Sequence, residues 1–463
     1  MTSARPLRGP TSPSDAPASR QGTGVLASAA VVVVAAVAYV ALLHAVYQYV
    51  IAPQFTYLRY AYREPDPLGY AFAILLVVVL ALVLPRRMTR VSHLVAWGLF
   101  VVTVAPSLVV PQFADVLSRS DSVVLAVWVA LSFLPVAVFG TRGAIRGLLP
   151  VARVSPFTFW TGVVILSAAA YAYVIASVGV RFTLPSLDNV YVLRAEYNLE
   201  QTEIALLGYV VPLLVNLLNP LVIARGLLRG RITPILLGIV GQLFIFSITG
   251  YRAALLSPFA MLATYLLFRR SSRPAASLAL IGAVGLVLVM WGLDGLSGSN
   301  DYTSLLVRRL LVTPGLLTAG YVSVFSGIDK VGWSHSFLSA FSSYPYAAEP
   351  PLLVGDLFFN RPDTNANASF LADGFANLGF PGMIIEGLVL TVLLCLVDDA
   401  CRGLSIRVGS LLLVMETLAL ADSGVFTVML THGLVATILT CALMPSSGWT
   451  RPSRRGRRAR EPG

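Results

Sequence analysis

Apolar segments recur about a dozen times along this chain, and arginines crowd every second connection between them. The basic connections hold Arg86, Arg87 and Arg90, then Arg142, Arg146 and Arg153, then Arg225, Arg229 and Arg231. Arg269, Arg270 and Arg273 follow, and then Arg402 with Arg407. The alternate connections carry most of the acids instead. Cationic loops are retained on the cytoplasmic side of a bilayer, so the alternation assigns a side to every loop. It predicts an all-α integral membrane protein with about twelve transmembrane helices.

Composition agrees. Hydrophobic residues make up 57% and charged residues 12%, where a soluble domain is roughly a quarter charged. The net charge of +11 calls for no nucleic acid. Most of the 33 basic residues fall on the expected inner side, including the tail from Arg451 to Arg460. Such a tail is drawn to anionic lipid headgroups. The cysteines Cys395, Cys401 and Cys441 lie in expected helices or on the inner side. They allow no outer disulfide and have no zinc spacing.

Residues 1–22, rich in Pro, Ser and Ala, read as a disordered cytoplasmic leader. The apolar run that follows is too long for a signal-peptide core and reads as a retained first helix. A bilayer core takes about 20 apolar residues per helix. Spans are expected at Val25–Tyr47, Leu68–Leu84, Val91–Val110, Val123–Phe139, Phe157–Gly179 and Ile204–Ile223. Further spans are expected at Ile232–Thr249, Ala253–Phe268, Ala275–Leu296, Leu378–Val397, Ile406–Ala421 and Val425–Met444. The chain thus divides into spans over 23–296, a large outer loop over 297–377, spans over 378–445 and a basic tail over 446–463. An even number of spans puts both termini in the cytoplasm. Leu305–Phe325 is apolar but holds Arg308, Arg309 and Pro314, which fits an interfacial or re-entrant helix better than a span.

Arginines on the outer side run against the topological trend. Arg194, Arg252, Arg308, Arg309 and Arg361 all lie there. Each can pair with a lipid headgroup. As a set they can also hold a diphosphate, because guanidinium forks bind phosphate oxygens two at a time and stay charged. The bases available outside are His335, Asp373 and Glu196. A loop histidine is either a solvated side chain or a general base near neutral pH. His44 and His93 read as structural, and His432 as helix packing. The run from Asp363 through Asn365, Asn367, Asp373 and Asn377 to Gly382 is rich in amide and small residues. That suits a hydroxyl-rich ligand, or ordinary turn and cap chemistry. Glu386 and Glu416 are acids at membrane depth, where polar groups are costly.

Four elements in order resemble the bacterial O-antigen polymerase family, the Wzy-type polymerases of oligosaccharide repeat units. They are Tyr191-Val-Leu-Arg194, Gly250-Tyr-Arg252-Ala-Ala-Leu, Arg308-Arg309 with Pro314-Gly315, and Asn365-Ala-Asn367-Ala-Ser-Phe leading to Asp373-Gly374-Phe-Ala-Asn377-Leu-Gly379. The resemblance covers roughly residues 188–397. It implies a bacterial plasma-membrane glycosyltransferase that uses a polyprenyl-diphosphate-linked glycan as donor. It implies no cofactor and no metal. Membrane lipids, a flippase and a chain-length regulator would be its partners. On this reading Arg194, Arg252, Arg308 and Arg309 would bind the diphosphate. Arg361, Asn365, Asn367 and Asn377 would bind the glycan; the resemblance carries over no base, and His335, Asp373 and Glu196 are the candidates by residue type. A ligase would use the same donor. A GT-C transferase would use an acidic pair such as Glu64-Pro-Asp66 in its first outer loop. A flippase would want charges along a central path.

Overall fold

The computed structural model describes residues 24–449, apart from 26, 144, 146, 181–192, 195–196, 198–203, 205, 337 and 340–342. Every regular element among the described residues is helical, and the only β-type pairings among them are two isolated bridges, Tyr62–Ala114 and Arg87–Ala275. The helices are α1 Ala29–Leu58, α2 Pro67–Val83, α3 Val91–Phe113, α4 Arg119–Gly140, α5 Pro156–Val178 and α6 Leu207–Arg229. Next are α7 Ile232–Thr249, α8 Arg252–Arg269, α9 Ser277–Ser297 and α10 Thr303–Phe325. The last six are α11 Pro350–Phe359, α12 Phe370–Leu378, α13 Phe380–Ala400, α14 Ile406–Asp422, α15 Val425–Leu430 and α16 Leu434–Leu443.

Nine of the described helices are long and apolar enough to cross a bilayer: α1, α3, α4, α5, α6, α7, α9, α10 and α13. Their burial differs in a way that places them. α3 is enclosed on nearly all sides, whereas α5 buries only Phe159, Val163, Ala170 and Val174. α5 leaves Val164, Ile165 and Leu166 exposed, the face a lipid-contacting helix presents.

Five described helices contain a π-helical stretch; Val136–Gly140 in α4 has no proline two residues beyond it, and the other four share a readable cause. Tyr47–Ile51, Phe100–Val104, Leu214–Leu218 and Thr303–Val312 are wound as π-helix. Each ends two residues before a proline: Pro53, Pro106, Pro220 and Pro314. Proline offers no N–H to the carbonyl four residues back, and its ring crowds that carbonyl. A wider turn relieves the clash. The N–H groups of Ala52, Ala105, Asn219 and Thr313 reach back to the carbonyls of Tyr47, Phe100, Leu214 and Arg308.

The connections gather at two ends of the bundle. At one end, here the upper, Arg63 N–H bonds Phe113 O at 2.8 Å and Asp115 N–H bonds Ala61 O at 3.0 Å. Arg59 Nε there donates to Phe358 O at 2.8 Å. At the lower end Met88 N–H bonds Pro274 O, Ala276 N–H bonds Arg86 O, and Val154 N–H bonds Leu443 O. Leu148 N–H bonds Asp399 there, and Arg153 reaches Ala400 O and Met444 O. The connections that meet in each group are those the arginine pattern places on one side.

α10 begins under the carboxylate of Asp294, near the end of α9, which accepts from Tyr302 N and Thr303 N. Its Thr313 hydroxyl bonds Tyr60 at 2.7 Å, its Thr318 bonds Ser107 at 3.0 Å, and its Ser323 lines a cavity with Arg59 and Asp115. These contacts tie α10 to α3 and to the connection after α1, and its length and composition would also suit a span.

One expected span is broken. Val425–Met444 is two short helices, α15 and α16, because Gly433 between them adopts φ 93°, a left-handed conformation that ends a helix. The freed carbonyl of His432 accepts from Asn216 Nδ2 at 2.9 Å, and the His432 ring meets Ser423 Oγ at 3.1 Å. His93 bridges the carbonyls of Arg87 and Thr141, and His44 stacks on Phe113 at 4.8 Å. Each such bond between helices in a bilayer is worth roughly 0.6–2 kcal/mol.

Candidate functional site

The site lies at the upper end, where α10, α12, α13 and the α14–α15 junction meet. α12 and α13 are joined through Gly379 at φ 68°. They cross at Gly374 and Gly382 so closely that a Cβ on either would strike the other's backbone. That crossing brings Asp373 of α12 and Glu386 of α13 near enough to act on each other electrostatically.

A loop segment docks on the end of α12. Val331 N–H bonds Ala376 O and Gly332 N–H bonds Asn377 O, both at 3.0 Å. Lys330, the only lysine in the chain, anchors this segment: its ammonium donates to Phe325 O and lies 4.2 Å over the Phe375 ring. Trp333 follows at φ 55°, a strained conformation for a bulky residue. Two bonds offset the strain. Trp333 N–H donates to Asn377 Oδ1 at 2.6 Å, and its indole Nε1 donates to Glu386 Oε1 at 3.2 Å.

Two residues further, His335 meets Asp373, with Nε2 to Oδ1 at 3.7 Å. This is an ion-pair separation, longer than a formed hydrogen bond. Such contacts are often loose before substrate binds. The other ring nitrogen of His335, Nδ1, is enclosed and has no hydrogen-bond partner among the described residues. Burial works against a charged Asp373, but His335, Glu386 and Asn377 together hold its carboxyl below the usual carboxylate range. Gly424, just before α15, lies directly over the Asp373 carboxylate. A Cβ there would stand 2.2 Å from Oδ2.

The sequence-predicted residues separate into groups. His335 and Asp373 are brought together. Arg194 and Arg309 both act electrostatically on Asp422, at the end of α14. Asp422 and Asp373 in turn both act on Tyr321 of α10. Arg194 also lies over the Tyr251 ring at 5.6 Å, next to Arg252 at the start of α8. Arg308 takes a different direction from its neighbour. It is 8% exposed, with its guanidinium 4.3 Å over Phe55 and 5.6 Å from the Tyr60 ring. A desolvated cation–π stack of this kind is worth about 2 kcal/mol, so Arg308 is bound into the fold.

Asn377 is fully buried and its amide is spent within the protein, on Trp333 and on Asp373 at 2.8 and 3.0 Å. Its place is behind the carboxylate. Asn365 is exposed and Asn367 half-buried, on either side of Ala366, whose carbonyl accepts from Tyr321 Oη at 3.0 Å. Arg361 is exposed and lies over Tyr57 at 5.4 Å, in the turn after α11. Glu196 lies outside the described residues. Among the described residues no three His, Cys, Asp or Glu side chains are placed to hold a metal ion. The sequence reading did not assign Trp333, Tyr321, Asp422 or Gly424 to the site. The signal in the sequence that pointed to Glu386 was an acid at membrane depth.

No protein-family model matches this chain, and no curated protein or solved structure is significantly similar to it.

Proposed function

We propose that this chain is a membrane glycosyltransferase that polymerises lipid-linked oligosaccharide repeat units at the outer face of a bacterial plasma membrane. The observation that carries the reading is the His335–Asp373 pair, Nε2 to Oδ1 at 3.7 Å, at the end of the bundle where Arg194 and Arg309 both act electrostatically on Asp422. Guanidinium cations and an imidazole in one region match what transfer from a diphosphate-linked sugar needs. The acceptor hydroxyl attacks the anomeric carbon and gives its proton to His335. The bond from that carbon to the diphosphate oxygen breaks, and the arginines stabilise the charge that develops on the departing polyprenyl diphosphate. No nucleotide sugar enters the balance. Asn365 and Asn367 flank this region and suit the glycan hydroxyls.

The reading includes a topology of twelve spans with both termini cytoplasmic and the upper end outside. Single cysteines at Ser299 and Ser343 should react with a membrane-impermeant maleimide on intact cells. The three native cysteines are buried and give little background. Labelling that appears only after lysis contradicts the topology and the site's position.

Deleting the gene should leave single repeat units on the lipid or on the final acceptor, with no ladder of longer chains. Long chains stranded on carrier lipid would indicate a ligase instead. Repeat units shielded from an external glycosidase would indicate a flippase.

A further inference from the structure

A cavity of about 290 Å³ opens at the upper end, and nothing in the proposed transfer uses it. Four separate stretches of chain build it. The turn after α1 gives Arg59, the connection after α3 gives Asp115, α10 gives Ser323 and Val324, and α11 gives Leu357 and Phe358. α10 stands between this cavity and the His335–Asp373 pair. Its Tyr321 bonds Ala366 O at the approach to α12, whereas Ser323 comes two residues later, roughly 200° round the helix. The two regions thus lie on opposite sides of a helix about 10–12 Å across.

The polar groups of the cavity are fixed but not satisfied. Arg59 is held at φ 63°, a left-handed backbone that is costly for a residue with a side chain. Its N–H bonds Thr56 O at 3.0 Å and its Nε bonds Phe358 O at 2.8 Å. The two terminal nitrogens have no hydrogen-bond partner among the described residues. The Asp115 backbone is tied to Ala61, and its carboxylate is 60% exposed and reaches only Arg63 Nη1, at 3.6 Å. Ser323 is exposed. A donor, an acceptor and a hydroxyl therefore line one space beside the apolar Val324, Leu357 and Phe358, and the two charges cancel. A lone anion would meet the Asp115 carboxylate, and a lone cation would meet Arg59. A neutral ring of hydroxyls suits both, because each hydroxyl can donate and accept at once. The space equals about ten waters at ~30 Å³ each, which is far more than an ion fills and enough for a sugar ring.

We propose that this cavity is a sugar-binding subsite, in which Asp115 accepts from ring hydroxyls, Arg59 and Ser323 bond to others, and the apolar wall covers the C–H face of the ring. That the sugar belongs to the growing chain, a few rings from the bond being formed, rests on the transferase reading. That a sugar ring is held there does not.

Saturation-transfer NMR of the full-length protein in lipid nanodiscs tests the subsite without any reaction, and avoids sugar-headed detergents that would compete. The probes are maltose, cellobiose, lactose and unlinked repeat units cut by mild acid from the native cells' own surface polysaccharide. The wild type should saturate the ring protons of at least one probe. Ser323→Trp, which fills the cavity from an exposed position, should abolish that signal. Asp115→Asn, which keeps the shape and removes the charge of the acceptor, should weaken it several-fold, and His335→Ala should keep it. No signal from any probe overturns the proposal. So does a signal that either cavity variant leaves at full strength, or one that His335→Ala removes. If Ser323→Trp does not fold, Asp115→Asn alone decides.

Polymerisation then reads the chain-holding role separately. Ser323→Trp should join a first pair of repeat units at a rate near that of the wild type, yet its chains should end several-fold shorter, because the product is released early. Equal slowing of the first and later joinings, with sugar binding as proposed, removes the chain-holding role. A wild type that binds the sugar in this cavity but extends nothing condemns the transferase reading and leaves the subsite standing.

Discussion

Replacing His335 with alanine should lower the rate of chain extension by about 10²–10⁴-fold, the range a positioned general base contributes. The protein should remain abundant in the membrane, where its level is read alongside the rate. Asp373→Asn should lose a comparable amount, because an amide cannot hold the imidazole in the same tautomer. The double variant should be little worse than either single one, as expected of groups acting as a unit. Gly424→Ala offers an independent route to the same defect. Its methyl group would enter the space of the Asp373 carboxylate and push it off His335. Quantifying polymer length and initial rate in membranes matched for protein level checks all four. Near-wild-type extension by the His335 variant removes the imidazole from the reaction.

The second large effect concerns the arginines, and it separates two neighbours in the sequence. Arg309→Lys should cost about 10²–10³-fold, the scale of removing one preorganised donor from a developing anion. A lysine restores the charge but not the two-pronged geometry. Arg194→Lys should behave likewise, because both guanidiniums bear on Asp422. Arg308→Lys should show a different defect. Its guanidinium is stacked on Phe55 and Tyr60, so the loss should appear as a lower unfolding temperature in detergent, with the rate per folded molecule nearly kept. Equal kinetic damage at 308 and 309 would contradict the separate roles given to them.

The physical reasons why some of this was legible in the sequence are specific. Which connections gather together follows from where arginines sit along the chain, and that is a local property. The hydrogen bonds that gather Arg86 with Ala276 and Ala61 with Asp115 agree with it. His335 and Asp373 stood out because a loop histidine and a loop acid are chemically conspicuous before any fold is known. The directions of Arg308 and Arg309 could not be read, because they depend on the π-wound turn that Pro314 imposes and on an aromatic pair contributed by the first outer connection. Asn377 looked like a sugar ligand for a similar reason. Nothing local shows that the Trp333 backbone and the Asp373 carboxylate already claim its amide. The break at Gly433 was hidden in an apolar run long enough for one helix, since hydropathy is blind to a single left-handed residue.

The central claim is that this chain transfers glycan from a polyprenyl diphosphate, and one reconstitution tests it most directly. Purified protein in detergent would be given lipid-linked repeat units and no nucleotide sugar, with release of polyprenyl diphosphate and chain length followed together. The account predicts a ladder of products whose growth matches the diphosphate released, and loss of both with His335→Ala. No release from a substrate that another polymerase can extend would contradict the account, and transport of the same substrate would then be its replacement.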